Sequence, residues 1–237
     1  MCVSSRNAFI AALGRIYPDA ASLDSVLGNA VDTIAIRGGS SIADSLTLRA
    51  DLPWRLEAWT YFDSASVLTV QPGGSVTATA STALDFRTGS TLQAIGTAAQ
   101  PVVFRSIDPA TFWYGLYLEG SPTDSSRLMH ALIENAGQGG YSGVHALGNH
   151  AVQVDSSRIR NSQYRAVYLG SPGSVLRAST VDTTAVASYP AVELLSNTRI
   201  EQTTIRGSAG IGLRLSGTNI TVIGGLIEGS GGVGMYA

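Results

Sequence analysis

The sequence predicts an all-β solenoid, in which short parallel strands wind around one apolar core with three strands in each turn. Two observations support this fold class. Apolar residues return in three ordered columns along the C-terminal half of the chain, and Gly, Ser, Asn or Pro residues separate the apolar runs. Runs this short are not stable as isolated strands, so each must stack on an equivalent run in the next turn.

The three columns have a nearly constant period. Successive members of a column are 21 to 28 residues apart. The first column contains Leu116, Val144, Val167, Val192, Leu213 and Met235; the second contains Leu128, Val154, Leu176, Ile200 and Val222; the third contains Ile133, Ile159, Val181, Ile205 and Ile227. Self-similarity at such a period is the sequence signature of a solenoid. Parallel strands about 4.8 Å apart would stack each member of a column on the next.

Two other folds fit the pattern less well. A two-sheet sandwich also contains many short strands at regular spacing, but it does not need the same apolar position to recur in every unit. A leucine-rich repeat needs a leucine and asparagine spacing that this chain lacks. The columns therefore favour the parallel solenoid.

Composition argues against several classes of function. Hydrophobic residues make up 44% of the 237 residues and charged residues only 14%, which suits a chain with a large core. The net charge of -2 argues against a nucleic-acid partner, and no apolar run is long enough for membrane insertion. Cys2 is the single cysteine, so a thiolate metal site is excluded. We expect neither a metal nor a cofactor.

The first 30 residues do not contain the repeat. Apolar residues at helical spacing follow the capping residues Ser4 and Ser5, namely Phe9, Ile10, Leu13 and Ile16. We therefore predict an N-terminal α-helical cap over residues 1–30 and a parallel β-helix over residues 31–237. The cap would cover the open strand edges of the first coil.

The last residues, GVGMYA, fall within a coil and show no polar cap. We expect the β-helix either to continue beyond residue 237 or to contact another protein through this open end, because an uncovered coil presents unpaired edges and a bare core.

Motifs in the N-terminal half resemble a known family. The run SVLTVQPGGSVTATASTALDFRTGSTLQAIGTAAQPVVFRS is followed by FWYGLYLEG and HALIENAG. These motifs resemble the opening coils of right-handed, single-stranded parallel β-helix proteins of the pectate-lyase-like superfamily, and among these the bacterial surface-associated members. The resemblance covers about residues 31–237 and implies a right-handed coil. The catalytic signatures of the enzymatic relatives, an Asp pair with Gly-His-Gly or an Arg-Pro-Arg cluster, are absent, which implies a non-catalytic member.

Outward residues beside two of the columns alternate in charge. One residue after the third column come Glu134, Arg160, Asp182, Arg206 and Glu228. The equivalent positions after the second column include Asp155, Arg177 and Glu201. Asp155 and Glu201 are weak catalytic candidates, since two rungs would separate them by roughly 10 Å, as in an inverting glycosidase. Arg177 between them would hold both acids ionised, which favours a structural charge ladder instead.

Outward residues beside the first column form the candidate binding site. They are Tyr117, His145, Tyr168, Glu193, Arg214 and Tyr236. In a solenoid these side chains form one file along the axis. The rings suit the apolar faces of sugars, and the charged residues suit hydroxyl or carboxylate groups. Ring stacking that only stabilises the sheet explains the same tyrosines equally well.

Other conspicuous residues are assigned structural roles. Trp54 and Trp59 are expected to close the core below the cap, and the family resemblance implies that Trp113 packs at a corner of the coil. His130 and His150 have no neighbouring metal ligands and are interpreted as surface or turn residues.

The sequence thus predicts an extracellular or cell-surface β-helix module that binds a glycan surface or a matrix partner without catalysis. Two alternatives stay open. One is a polysaccharide lyase or glycoside hydrolase with an atypical active site, and the other is a structural fibre element that assembles end to end.

Overall fold

Strands follow one another around three parallel sheets, here called A, B and C. The computed structural model describes residues 8–10, 33–37, 41–63, 65–120 and 125–237. In this part of the chain each turn contributes one strand to each sheet, and the eight strands of sheet C mark eight complete turns. One short 3₁₀ turn, Gln138–Gly140, is the sole helical element of the described residues. The predicted all-β coil with three strands per turn is confirmed.

The strand bounds are as follows. Sheet A contains Ala8–Ile10, Thr33–Ile36, Trp54–Leu56, Ser75–Ala78, Val102–Ser106, Ala131–Glu134, Arg158–Ser162, Thr180–Thr184, Thr204–Ser208 and Leu226–Glu228. Sheet B contains Ser41–Ile42, Thr60–Phe62, Ala83–Phe86, Gly115–Gly120, Ser142–Gly148, Arg165–Leu169, Val192–Leu195, Leu213–Ser216 and Met235–Tyr236. Sheet C contains Leu46–Leu48, Val67–Val70, Thr91–Ile95, Ser125–Met129, Ala151–Asp155, Val175–Arg177, Arg199–Glu201 and Thr221–Ile223.

The three apolar columns pair in the predicted register. The first column lies in sheet B, the second in sheet C and the third in sheet A, and each member is the Cα partner of the next. Leu116, Val144 and Val167 are completely buried. Burying an aliphatic side chain of this size stabilises the fold by about 1.5–3 kcal/mol, so the stacked columns supply most of the driving force for folding.

The helical prediction for the N-terminus is wrong where it can be examined. Ala8–Ile10 is a strand of sheet A that pairs in parallel with Thr33–Ile36. The exposed edge of the Thr33–Ile36 strand offers unpaired backbone groups, and a strand satisfies them directly, which a helix cannot do. The remainder of the predicted cap, including Leu13 and Ile16, lies outside the described residues.

Some individual placements also differ from prediction. Trp54 and Trp113 are core residues as expected, with 2% and 1% exposure, but Trp59 is half-buried on the outside of sheet B. His150 is not a surface residue: it is fully buried, with Nε2 2.7 Å from the Ser126 hydroxyl. At the last coil, Val222, Leu226 and Met235 are 43%, 51% and 51% exposed, and the protein contact predicted for this end stays a prediction.

A recurrent left-handed residue bends the chain in or after each of the last five strands of sheet A. The equivalent residues with positive φ are Asn135, Asn161, Thr183, Gly207 and Gly229, with values from 52° to 65°. Glycine and asparagine tolerate this region, and the Asn161 amide donates a 2.8 Å hydrogen bond to Asn135 Oδ1 along the axis. Thr183 is β-branched, so it is the strained member of the column.

We expect Thr183→Asn to raise the free energy of unfolding by about 1 kcal/mol, because asparagine relieves the left-handed strain at this position. Equilibrium unfolding in guanidinium chloride measures the change. The matched control is Asn161→Thr, which should lower the free energy of unfolding by a similar amount. An unchanged or less stable Thr183→Asn protein would contradict this account of the corner.

Candidate functional site

The outer face of sheet A is a compensated charge ladder. Glu134, Arg160, Asp182 and Arg206 are successive Cα partners, so the charges alternate as predicted. Asp182 accepts hydrogen bonds from Arg206 and, at 2.5 Å, from Arg158. Burial alone would raise the pKa of Asp182, but the two arginines bring it below its ordinary value. An acid held ionised in this way serves structure rather than proton transfer.

The outer face of sheet C carries the weak catalytic candidates. Asp155, Arg177 and Glu201 are aligned on consecutive strands. The Arg177 guanidinium donates a 3.0 Å bond from Nε to Asp155, while Arg199 pairs with Glu201. Burial works against ionisation of Asp155, yet hydrogen bonds from Arg177 and Ser156 lower its pKa. Asp155 therefore lacks the raised pKa that a general acid requires.

Aromatic residues are concentrated on the side of the molecule that sheet B forms. The strands of sheet C contain no aromatic residue, and those of sheet A from Thr33 onward contain only the buried Trp54 and Phe104. All eight described tyrosines lie in sheet B strands or in the turns before them. An uneven distribution of this kind marks sheet B as the candidate functional face.

Two files of side chains run along this face. The first, here called the face file, contains the aligned outward residues Tyr61, Asp85, Tyr117, His145, Tyr168, Glu193, Arg214 and Tyr236. The second, here called the corner file, precedes the strands and contains Trp59, Tyr114, Tyr141, Tyr164 and Tyr189. All six residues predicted for the site lie in the face file in the predicted order. Tyr61, Asp85 and the corner file are additions from the structure.

The central rings of the face file stack on one another. The ring centroids of Tyr117 and His145 are 4.7 Å apart, as are those of His145 and Tyr168, with 24° between the planes in both pairs. Neighbouring rings therefore occupy both faces of His145. The expectation that a sugar stacks on these ring faces does not fit this geometry, since mainly the ring edges point outward. Tyr236 is separated from Tyr168 by the Glu193 and Arg214 rungs.

The corner file packs against the face file at steep angles. Tyr141 meets Tyr114 and Tyr117 edge to face, at centroid distances of 5.1 and 5.5 Å. The Trp59 ring contacts four tyrosine rings, with the shortest centroid distance, 5.1 Å, to Tyr114. Rings in this arrangement build a ridged apolar surface beside the stacked file.

Asp85 is a buried acid within this aromatic surface. Its side chain accepts a 3.1 Å hydrogen bond from the Trp59 indole N–H at Oδ2, while Oδ1 is buried and has no partner among the described residues. Burial raises the pKa of Asp85 to about 6, although Trp59 and the Arg87 guanidinium 3.9 Å away act in the opposite direction. Sequence reasoning missed this residue. Extending the first column upstream to Leu84 would have placed Asp85 next to Tyr117.

The groups around Asp85 are also unusually desolvated. Burial, and after it the negative charge of Glu119, raises the pKa of Tyr117 far above its ordinary value. His145 is 9% exposed and its Nδ1 has no partner. Burial and the nearby positive charge of Arg165 lower the pKa of His145 to about 4, so the imidazole is neutral at physiological pH.

The C-terminal part of the face file is charged, and its acidic and basic side chains pair with other side chains of the protein. Glu193 is buried and accepts a 2.6 Å hydrogen bond from Arg165, and Arg214 Nε lies 3.7 Å from the same carboxylate. Arg165 also donates to the Gly140 carbonyl and lies over the Tyr189 ring, 4.6 Å from its centroid. Glu193 is thus satisfied by the protein, while the Arg214 side chain is 44% exposed and can reach a ligand.

The described residues contain no group of three or more His, Cys, Asp or Glu side chains that could hold a metal ion. Across the same ranges, no helix has the length and apolarity that a membrane crossing requires.

Three stacked parallel sheets with one strand per sheet in every turn define a parallel β-helix. The family model described as "Right handed beta helix region" matches residues 103–237, more than half of the chain. The chain therefore belongs to the right-handed β-helix family. Neither a curated protein nor a solved structure matched it significantly.

We expect Asp85→Asn to stabilise the protein by about 2 kcal/mol at pH 8 and to flatten the pH dependence of stability. Because the folded-state pKa of Asp85 is raised to about 6, Asp85 contributes to the free energy of unfolding at pH 4, and this contribution is lost as the pH rises through 6. Urea unfolding from pH 4 to pH 8 measures this. The control is Asp155→Asn, which should destabilise the protein at pH 8, since Arg177 lowers the pKa of Asp155.

Proposed function

We propose that this chain is an extracellular or cell-surface β-helix module that binds a glycan along sheet B without catalysis. The observation that carries the proposal is the collection of all eight described tyrosines, with Trp59 and His145, on one side of the solenoid. Sugars present apolar C–H faces and polar hydroxyl rims, and aromatic side chains beside hydrogen-bonding groups match both.

The dimensions of the surface favour a polymer over a small molecule. The face file spans eight rungs from Tyr61 to Tyr236, or roughly 34 Å at the spacing of parallel strands. It is an open face rather than an enclosed cavity, so it suits a linear chain that lies along the solenoid axis. The resemblance of the N-terminal motifs to surface-associated members of the pectate-lyase-like superfamily supports the same function and location.

Ligand contact is assigned mainly to the corner file. The central rings of the face file stack face to face on one another, so these faces are not available to a sugar. Trp59 and Tyr141 are half-buried and lie at the border of the surface. Arg214 adds a partly exposed cation further along the same face, three rungs beyond His145. The face file then fixes the positions of the corner rings and supplies polar edges.

We expect the double variant Trp59→Ala, Tyr141→Ala to bind soluble polysaccharide at least tenfold more weakly than the wild type, because two sugar-stacking rings are lost. Affinity electrophoresis against a panel of polysaccharides, followed by calorimetry on the best ligand, measures this.

The matched control for this experiment is Arg127→Ala with Gln153→Ala, two exposed and aligned residues on the outer face of sheet C. The control should bind like the wild type. Equal losses in both variants, or no polysaccharide binding by the wild type, would contradict glycan recognition on sheet B.

Asp85 favours a second candidate function, glycosidic bond cleavage. A buried carboxyl with a pKa of about 6 is the property that a general acid needs. We expect no new reducing ends when the wild type is incubated with the polysaccharide it binds. If reducing ends form with the wild type and not with Asp85→Asn, the protein is a hydrolase and the proposal of binding without catalysis is wrong.

A further inference from the structure

Two buried polar atoms without partners lie on either side of one tyrosine. Asp85 Oδ1 and His145 Nδ1 are both buried and make no hydrogen bond to any residue that the structure describes. Asp85 and His145 are the Cα partners of Tyr117 on the two neighbouring strands. A buried polar atom without a partner costs about 1–3 kcal/mol, so two in one short stretch of a binding face point to a missing ligand.

The charged groups around these atoms determine which ligand they accept. The groups acting on Asp85 are Asp63, Arg87 and Glu119, and Arg87 is 4.0 Å from Asp63 and 3.9 Å from Asp85. Three carboxyl groups therefore lie around the site, and Arg87 is shared between two of them, Asp63 and Asp85. A ligand carboxylate placed here would meet the acidic groups Asp63 and Glu119 in a desolvated site even while Asp85 holds its proton, which is strongly unfavourable.

His145 has a different but compatible environment. Arg165 is the charged group that acts on it, and this arginine is engaged by Glu193 and the Gly140 carbonyl. The imidazole stays neutral, with one ring nitrogen as donor and one as acceptor. A neutral imidazole and a carboxyl group that holds its proton in mild acid can each exchange hydrogen bonds with a hydroxyl group.

We propose that Asp85 and His145, on either side of Tyr117, form a hydroxyl-binding site that selects an uncharged sugar chain over an acidic one. This inference rests on the glycan-binding function proposed above and names its ligand class. Asp85 and His145 are two rungs apart, roughly 10 Å, so they bind hydroxyl groups at two points along one chain. The Trp59 indole donates to Asp85 and the Tyr141 ring packs 5.9 Å from the His145 ring, so these two corner-file rings flank the site and stack on the sugar that occupies it.

Binding should also weaken as the pH rises, because a sugar that covers ionised Asp85 removes the remaining water from a buried charge, whereas the protonated acid carries no such cost. Calorimetry with neutral polysaccharides (soluble β-glucan, mannan and galactan) and acidic ones (polygalacturonate and alginate) at pH 5 and pH 8 tests the site. The wild type should bind a neutral polymer at least tenfold more tightly than either acidic one, and about fivefold more tightly at pH 5 than at pH 8.

Three variants separate the roles of the two residues. Asp85→Asn should remove the difference between the two pH values, and Asp85→Ala should weaken binding about tenfold at pH 5. His145→Phe keeps a stacked ring without its nitrogens and should weaken binding about tenfold at both pH values. Denaturation curves for each variant establish that the fold is retained.

The outcomes distinguish this inference from the proposed function. If the wild type binds no polysaccharide, both are overturned. If it binds polysaccharide but prefers an acidic polymer, or if Asp85→Ala and His145→Phe bind like the folded wild type, only the hydroxyl-binding site is overturned. A neutral preference that both variants weaken supports the site.

Discussion

In-register stacking of parallel strands is the constraint on which the rest of this structure depends. Each strand between the first and the last of its sheet is paired with equivalents in the turns before and after it. Neighbouring positions in a column are therefore brought within about 5 Å of each other whether or not they attract. Apolar columns form the core. In the outward columns, the same stacking places similar side chains next to one another, whether or not they attract.

The outer faces of the three sheets accommodate the stacked side chains in two ways. Sheets A and C alternate acid and arginine, so that Asp182 and Asp155 are held ionised by their neighbours. Sheet B stacks aromatic rings, with His145 between Tyr117 and Tyr168. Ring stacking excludes water from the polar groups in the same file, and the raised pKa of Asp85 follows from that exclusion.

This difference leaves two closely spaced hydrogen-bonding positions on sheet B open to a ligand. The ladders of sheets A and C satisfy Asp182 and Asp155 internally, whereas Asp85 Oδ1 and His145 Nδ1 remain without partners. Glu193, on the same file, is satisfied by Arg165, so a lack of partners is a property of two positions and not of the whole face. A ligand that completes those two positions recovers a cost that the folded protein already carries.

The sequence by itself determined the coil, the register of its three columns and the order of the face file from Tyr117 onward, because a repeat of apolar positions has one consistent parallel stacking. Only the tertiary structure decided the strand at Ala8–Ile10, the outward position of Trp59 and the burial of Asp85. Each of these depends on contacts between turns. The Trp59 indole reaches Asp85 across 26 residues of chain, and no periodicity within a single repeat encodes such a contact.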